Sequence, residues 1–129
     1  MKTWSAAATL AFITALVPAS AAAQDAPGVE LVLGTGIEAM MPVGESQEFP
    51  ADVGRVFCWT LLEGAAGSTI QHVWIYGDME FPVSLEVDGS PWRTWSSKSI
   101  PPEWSGEWTV EVRDDSGAVL RSQSFVVGM

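Results

Sequence analysis

The stretch that decides the fold is residues 107–127, which reads EWTVEVRDDSGAVLRSQSFVV. In its first seven residues, Trp108, Val110 and Val112 alternate with polar residues, and this period of two is typical of a strand with one buried face. The sequence DDSG at residues 114–117 then predicts a hairpin turn, because glycine readily adopts a positive φ. An apolar run follows the turn, so we expect two antiparallel strands at the end of the chain.

Five runs of similar character precede this hairpin, and no window keeps a helical spacing of apolar residues over three turns. The predicted strands are residues 29–41, 53–62, 69–76, 81–87, 92–100, 107–113 and 118–127. Short strands separated by turn residues at near-regular intervals predict a single all-β domain over residues 29–127. We expect an antiparallel β-sandwich of immunoglobulin-like architecture with about seven strands, and a small β-barrel is the alternative.

Residues 1–23 have the pattern of a removable signal peptide, with Lys2 before an apolar stretch and small residues ending at Ala23. The apolar stretch, residues 4–17, is shorter than the roughly 20 residues needed to span a bilayer. We therefore expect export to the periplasm or the exterior of a bacterial cell, with no stable membrane span after cleavage. Residues 24–28 are expected to form a mobile lead-in to the domain.

The composition is acidic and rich in tryptophan: 129 residues contain 16 acidic side chains, six basic ones and seven tryptophans. This charge balance argues against nucleic acid as a partner, because phosphate binding requires clustered lysine and arginine. Cys58 is the single cysteine, so no disulfide can form within the chain. It lies in the run 56–62, which is apolar on both faces and is predicted to be a buried central strand.

The sequence contains no recognisable catalytic constellation. A nucleophilic pair of Cys58 and His72 would require an accessible, activated thiol, and no Gly-x-Ser-x-Gly motif is present. One histidine and one cysteine are too few for a typical zinc site. We therefore predict no catalytic residues, no bound metal and no cofactor.

Two segments carry the candidate binding residues. In residues 70–76, His72, Trp74 and Tyr76 lie on one strand face and two aliphatic residues on the other. We interpret the aliphatic face as the core face, so that the rings project from the sheet. The alternative is that both faces are covered and that His72 is a hydrogen-bonded core residue. Residues 92–98 have no clean aliphatic face and are predicted to form an edge strand, with Arg93 and Trp95 on one side.

Five fragments, in order, resemble the bacterial domain of unknown function 2914. They are Phe57-Cys58-Trp59-Thr60, His72-Val73-Trp74-Ile75-Tyr76, Arg93-Thr94-Trp95-Ser96-Ser97-Lys98, Gly106-Glu107-Trp108-Thr109-Val110-Glu111-Val112 and Asp115-Ser116-Gly117-Ala118-Val119-Leu120. The resemblance extends from about Val29 to Val127 and implies a compact, mainly β domain without an established activity. Within the resembling fragments, the motif positions are His72, Trp74, Arg93, Trp95, Ser96 and Lys98.

These observations favour an exported, non-enzymatic binding or interaction module. Its candidate partners are an envelope glycan, a peptide or a protein. The candidate ligand-binding residues, expected to converge on one exposed concave patch, are His72, Trp74, Tyr76, Arg93, Trp95, Ser96 and Lys98. The alternatives are a small hydrolase acting on envelope polymers and a purely structural or accessory envelope protein.

Overall fold

The computed structural model describes residues 26–128, so the predicted signal peptide and the first two lead-in residues lie outside the described residues. Ten strands and one short 3-10 helix make up the described part. They are β1 (Gly28–Gly34), β2 (Gly36–Glu38), β3 (Met41–Val43), β4 (Glu48–Phe49), β5 (Gly54–Glu63), β6 (Thr69–Tyr76), β7 (Met79–Glu86), β8 (Trp92–Ile100), the 3-10 helix Pro102–Trp104, β9 (Gly106–Arg113) and β10 (Val119–Val127). Within residues 26–128, no helix is long and apolar enough to cross a membrane.

The strands form two main sheets. One has three strands in the order β1-β5-β8, and the other has five in the order β4-β10-β9-β6-β7. All pairs are antiparallel except β4 with β10, and β2 and β3 form a separate hairpin. The predicted all-β sandwich is confirmed, and within residues 26–128 the sheets do not close into a barrel. β8 is an edge strand, as predicted.

The core lies between the two main sheets. The alternation in β9 places Trp108, Val110 and Val112 inward, and all three are buried as predicted. The three-stranded sheet contributes small and medium side chains such as Val56 and Leu62, whereas the five-stranded sheet contributes large rings. Stacking of Trp108 on Phe125, with ring centroids 6.1 Å apart, links two neighbouring strands of the larger sheet.

The predicted hairpin at residues 114–117 is confirmed. Gly117 has φ 91°, and the side chain of Asp114 accepts hydrogen bonds from the backbone N–H groups of Ser116 and Ala118 at 2.9 and 3.0 Å. These hydrogen bonds hold the pKa of the Asp114 carboxyl below its usual range, with the hydroxyl of Ser116 contributing most.

The predicted first run, residues 29–41, is not one strand. β1 ends at Gly34 and the chain doubles back as the β2–β3 hairpin, which extends to Val43, past the predicted end of the run. A side chain at residue 34 would place its Cβ 2.5 Å from the carbonyl oxygen of Val43, so only glycine allows this close approach. The hairpin packs on the outer side of the three-stranded sheet, where the backbone oxygen of Met40 accepts a hydrogen bond of 2.9 Å from Trp59 Nε1.

The turn of this hairpin is strained. Ala39 and Met40, its two central residues, have φ of 51° and 65°, and no other non-glycine residue within residues 26–128 has a positive φ. Two-residue hairpin turns of this kind favour Asn-Gly because each position lies in the left-handed region. One of the two strained residues, Met40, has a side chain that is 51% exposed, so the strained turn lies at the protein surface.

We expect Ala39→Gly to raise the free energy of unfolding by about 0.5 to 1 kcal/mol, because glycine removes the left-handed strain and this gain exceeds its extra entropy in the unfolded chain. The matched control is Ala66→Gly, which changes an exposed turn residue without positive φ and should lower stability. Urea denaturation of both variants measures the difference. A loss of stability in Ala39→Gly would contradict the assignment of strain.

Candidate functional site

The predicted orientation of β6 is wrong. His72 and Trp74 are both 0% exposed and face the three-stranded sheet across the core, so they do not project from the sandwich. Ile75 lies on the opposite, outer face of β6, together with Val73, which is nevertheless buried. The alternative, in which both faces are covered and His72 is a hydrogen-bonded core residue, describes this strand correctly.

The outer face of β6 is covered by a surface ion-pair network. Arg113 on β9 contacts Glu111 at 2.7 Å and Glu80 at 3.3 Å, and Glu80 belongs to β7, on the far side of β6. The arginine therefore reaches across β6, where its aliphatic part can cover apolar surface while its charge stays in water. The two carboxylates raise the pKa of the Arg113 guanidinium. This arrangement explains why Val73 is buried although it faces outward.

His72 lies at the centre of a buried chain of hydrogen bonds between the sheets. Its Nδ1 lies 2.7 Å from Ser96 Oγ on β8, and its Nε2 lies 3.2 Å from Thr60 Oγ1 on β5. Trp74 Nε1 donates to the same Ser96 oxygen at 3.1 Å, and Thr60 Oγ1 donates to the carbonyl oxygen of Thr94 at 3.0 Å. Four buried polar side chains thus satisfy one another, as burial requires.

The direction of every hydrogen bond in this buried network follows from the groups at its two ends, the indole of Trp74 and the carbonyl of Thr94. The indole N–H of Trp74 can only donate, and the carbonyl of Thr94 can only accept. Thr60 gives its single hydroxyl hydrogen to Thr94, so its oxygen must accept from His72 Nε2. The other ring nitrogen then accepts from Ser96, whose oxygen accepts from Trp74. The geometry therefore assigns His72 as the neutral tautomer that carries its hydrogen on Nε2.

Burial lowers the pKa of His72 from 6.5 to about 4, because the charged imidazolium would lose its hydration in the core. A second proton could enter only at Nδ1, where the neutral ring accepts from Ser96. Both effects keep the imidazole neutral. Its complete burial also keeps it out of contact with solvent. His72 has no surface from which to contact a ligand in the folded protein.

The seven predicted binding residues do not form one patch, so that expectation is wrong. His72, Trp74 and Ser96 are buried in the core. Tyr76 donates its hydroxyl to the carbonyl of Ser105 at 2.7 Å and stacks on Trp108, while Lys98 lies 4.3 Å from the ring centroid of Phe81. Both therefore close one edge of the sandwich. Only Arg93 and Trp95 lie on an outward-facing surface.

That surface is the outer face of the three-stranded sheet, which we name the arginine–aromatic face. It includes Arg55, Phe57, Trp59, Leu61 and Glu63 on β5, Arg93 and Trp95 on β8, and Glu30 on β1, which pairs with Leu61. The register places Trp59 opposite Trp95 and Leu61 opposite Arg93. Trp59 is buried under the β2–β3 hairpin, whereas Phe57, Leu61 and Trp95 are partly exposed and both arginines are exposed.

Beside the hairpin, the arginine–aromatic face continues into an open cleft of about 390 Å³, which we name the hairpin cleft. Its lining residues are Met40, Leu61, Glu63, Pro91, Trp92 and Arg93. Of these, only Arg93 was predicted. The sequence does contain a signal for Leu61, because β5 alternates large outward side chains at 57, 59 and 61 with smaller inward ones at 56, 58 and 60.

Cys58 lies on the inner side of β5 and is 0% exposed. Burial raises the pKa of its thiol well above the usual range, because the thiolate would be unsolvated. It therefore packs as a small apolar residue, as predicted for this run. Within residues 26–128, no group of three or more histidine, cysteine, aspartate or glutamate side chains is arranged to hold a metal ion.

Residues 67–127 match the family model described as "Protein of unknown function (DUF2914)". Over these residues the chain therefore resembles the DUF2914 family. The matched part contains four of the five resembling fragments, whereas residues 57–60 lie before it, so the match is shorter than the expected span from Val29 to Val127. The DUF2914 match includes Arg93 and Trp95 but not the hairpin or β5. A search of curated proteins finds no match.

We expect nitrogen NMR of the imidazole to show a single neutral tautomer with the hydrogen on Nε2 at pH 7, because the hydrogen-bond chain has one consistent direction. His72 is the only histidine, so its two ring nitrogen signals need no separation from others. Thr60→Val removes the acceptor for Nε2 and should weaken this preference. A hydrogen on Nδ1 in the unmodified protein would contradict the assigned direction.

We expect acid to destabilise the protein through His72. The unfolded chain binds a proton as the pH falls below 6.5, whereas the folded protein does so only near pH 4, so stability is lost across that interval. The loss attributable to His72 is about 3 kcal/mol. Urea denaturation from pH 7 to pH 4, compared with His72→Gln, isolates this contribution. Parallel stability curves for the two proteins would contradict the prediction.

Proposed function

We propose that this chain is an exported, non-enzymatic binding module and that the arginine–aromatic face is its binding surface. The observation that carries the proposal is the contrast between the two outer faces of the sandwich. The outer face of the larger sheet carries charged and hydroxyl side chains such as Glu80, Arg113 and Thr109. The arginine–aromatic face instead leaves Phe57, Leu61 and Trp95 partly exposed beside exposed methionines.

Exposed apolar surface of this kind supports binding, because soluble proteins rarely leave adjoining aromatic and aliphatic side chains in contact with water. Met40 and Met41 are 51% and 44% exposed at the edge of this face. Methionine is flexible and polarizable, so it adapts to the shape of a ligand. Aromatic rings and arginine are also the residue types that contribute most to binding energy at interfaces.

Arg55 and Arg93 give this face positive charge, although the chain contains only six basic residues against 16 acidic ones. Arg55 donates to the hydroxyl oxygens of Ser97 and Ser99 at 2.7 and 2.9 Å, which fixes its guanidinium on the surface. Arg93 lies outside both of the ion pairs found within residues 26–128. Guanidinium groups bind carboxylates and stack on rings, so the face suits a partner that combines apolar and anionic groups.

The burial of His72 supports a binding role over hydrolysis, because its imidazole cannot reach a substrate in the folded protein. The N-terminal sequence supports export, since residues 1–23 have the signal-peptide pattern. The candidate partners are an envelope glycan, a peptide or a protein. Of the seven predicted residues, only Arg93 and Trp95 remain in the proposed site. Arg55, Phe57 and Leu61 are added to it from the structure.

We expect ligands found by intrinsic tryptophan fluorescence, from a screen of defined cell-wall glycans and peptides, to lose affinity in Arg93→Gln and in Trp95→Ala. Removing a guanidinium that binds a carboxylate should weaken binding by about tenfold or more. Arg121→Gln is the matched control, because Arg121 is an exposed arginine on β10 of the other sheet. Circular dichroism checks that each variant is folded. Equal losses in all three variants, or in none, would contradict the proposed face.

A further inference from the structure

The hairpin cleft contains two opposite charges. Glu63 and Arg93 both line it, and both are exposed. Leu61 lies opposite Arg93 in the β5–β8 register, and Glu63 lies two residues further along β5 on the same face. Such diagonal neighbours have Cα atoms roughly 7 to 8 Å apart. Both side chains can therefore reach a ligand placed between them above the sheet.

These two charges are not paired with each other. The ion pairs within residues 26–128 join Arg113 to Glu80 and to Glu111 only. Leu61, Trp92 and Met40 also line the cleft and add apolar surface to it. The cleft thus presents an acceptor for positive charge, a donor for negative charge and an apolar wall in one small space.

The volume limits the size of the occupant. Small-molecule sites in proteins measure about 300 to 1,000 Å³, and the hairpin cleft, at about 390 Å³, is at the lower end of that range. This size suits an amino acid or a very short peptide. Larger polymers would have to extend out of the cleft over the rest of the arginine–aromatic face.

We propose that the hairpin cleft binds a small zwitterion with an apolar side chain, namely an apolar α-amino acid or a short apolar peptide. Arg93 binds the carboxylate, Glu63 binds the ammonium group, and the side chain packs against Leu61, Trp92 and Met40. This inference rests on the proposed function and specifies the ligand class of the same surface.

Charge complementarity favours a zwitterion over the simpler alternatives. A ligand with only a carboxylate would bring negative charge close to Glu63, and one with only an ammonium group would face Arg93. A neutral sugar would leave both charges without a partner of opposite sign. A zwitterion satisfies both charges through two ionic hydrogen bonds, while its apolar side chain contacts the apolar lining of the cleft.

The test uses the full-length mature protein and three probes: L-leucine, N-acetyl-L-leucine and L-leucinamide. N-acetylation removes the ammonium charge, whereas the amide removes the carboxylate charge. A fourth probe, L-leucyl-L-leucine, distinguishes a free amino acid from a short peptide. Binding is followed by calorimetry and by proton–nitrogen NMR, in which the indole signal of Trp59 reports on the hairpin because its N–H donates to Met40.

We expect L-leucine or the dipeptide to bind and to shift the Trp59 indole signal, and each capped probe to bind about tenfold more weakly or worse. Arg93→Gln should abolish the preference for leucine over its amide, and Glu63→Gln should abolish the preference for leucine over its N-acetyl derivative. Arg121→Gln should change neither preference. These paired losses of discrimination would not result from a general loss of folding.

The proposal is overturned if the capped probes bind as well as leucine, or if neither leucine nor the dipeptide binds through the millimolar range. It is also overturned if Glu63→Gln leaves the discrimination against N-acetyl-leucine unchanged. None of these results contradicts the proposed function if the fluorescence screen finds another ligand that loses affinity in Arg93→Gln and Trp95→Ala. The proposed function itself fails only in the separate screen.

Discussion

The rest of the sandwich depends on one buried chain of hydrogen bonds that joins Trp74, Ser96, His72, Thr60 and Thr94. It connects β6 of the larger sheet to β5 and β8 of the smaller one. Apolar packing alone tolerates small shifts between sheets, whereas a buried polar group that loses its partner costs about 1 to 3 kcal/mol. These hydrogen bonds therefore favour one alignment of the two sheets, and they require Thr60, His72 and Ser96 to face inward on β5, β6 and β8.

This alignment also creates the candidate site. Because Thr60 and Ser96 point into the core, their neighbours Leu61, Trp95 and Arg93 point outward, since side chains alternate along a strand. The small sheet then has large side chains on its outer face, whereas its inner face carries small and medium apolar residues together with the two hydroxyl residues Thr60 and Ser96. A hairpin held by Gly34 and by the indole of Trp59 covers part of that outer face and leaves the remainder open.

The sequence was sufficient to predict the strands and the sandwich because alternation in β9 and the turn at residues 114–117 are local signals. It was insufficient for the orientation of β6, whose two faces both carry large apolar side chains. The deciding partners of His72 are Thr60 and Ser96, which lie 12 and 24 residues away. The hairpin was missed for another reason: its turn is Ala39-Met40, without the glycine or asparagine that normally indicates such a turn.

The position of β8 has a consequence for where the folding unit begins. In sequence, β8 lies inside the DUF2914 match, but it pairs with β5, and β5 pairs with β1, both of which precede residue 67. A polypeptide limited to the matched residues would keep Ser96 and His72 yet lose Thr60, the oxygen that accepts from Nε2. The edge of β8 would then be bare, and the rings of the larger sheet would lack their cover. The family match and the folding unit therefore do not share a boundary, because the matched residues need β1 and β5 to complete the smaller sheet.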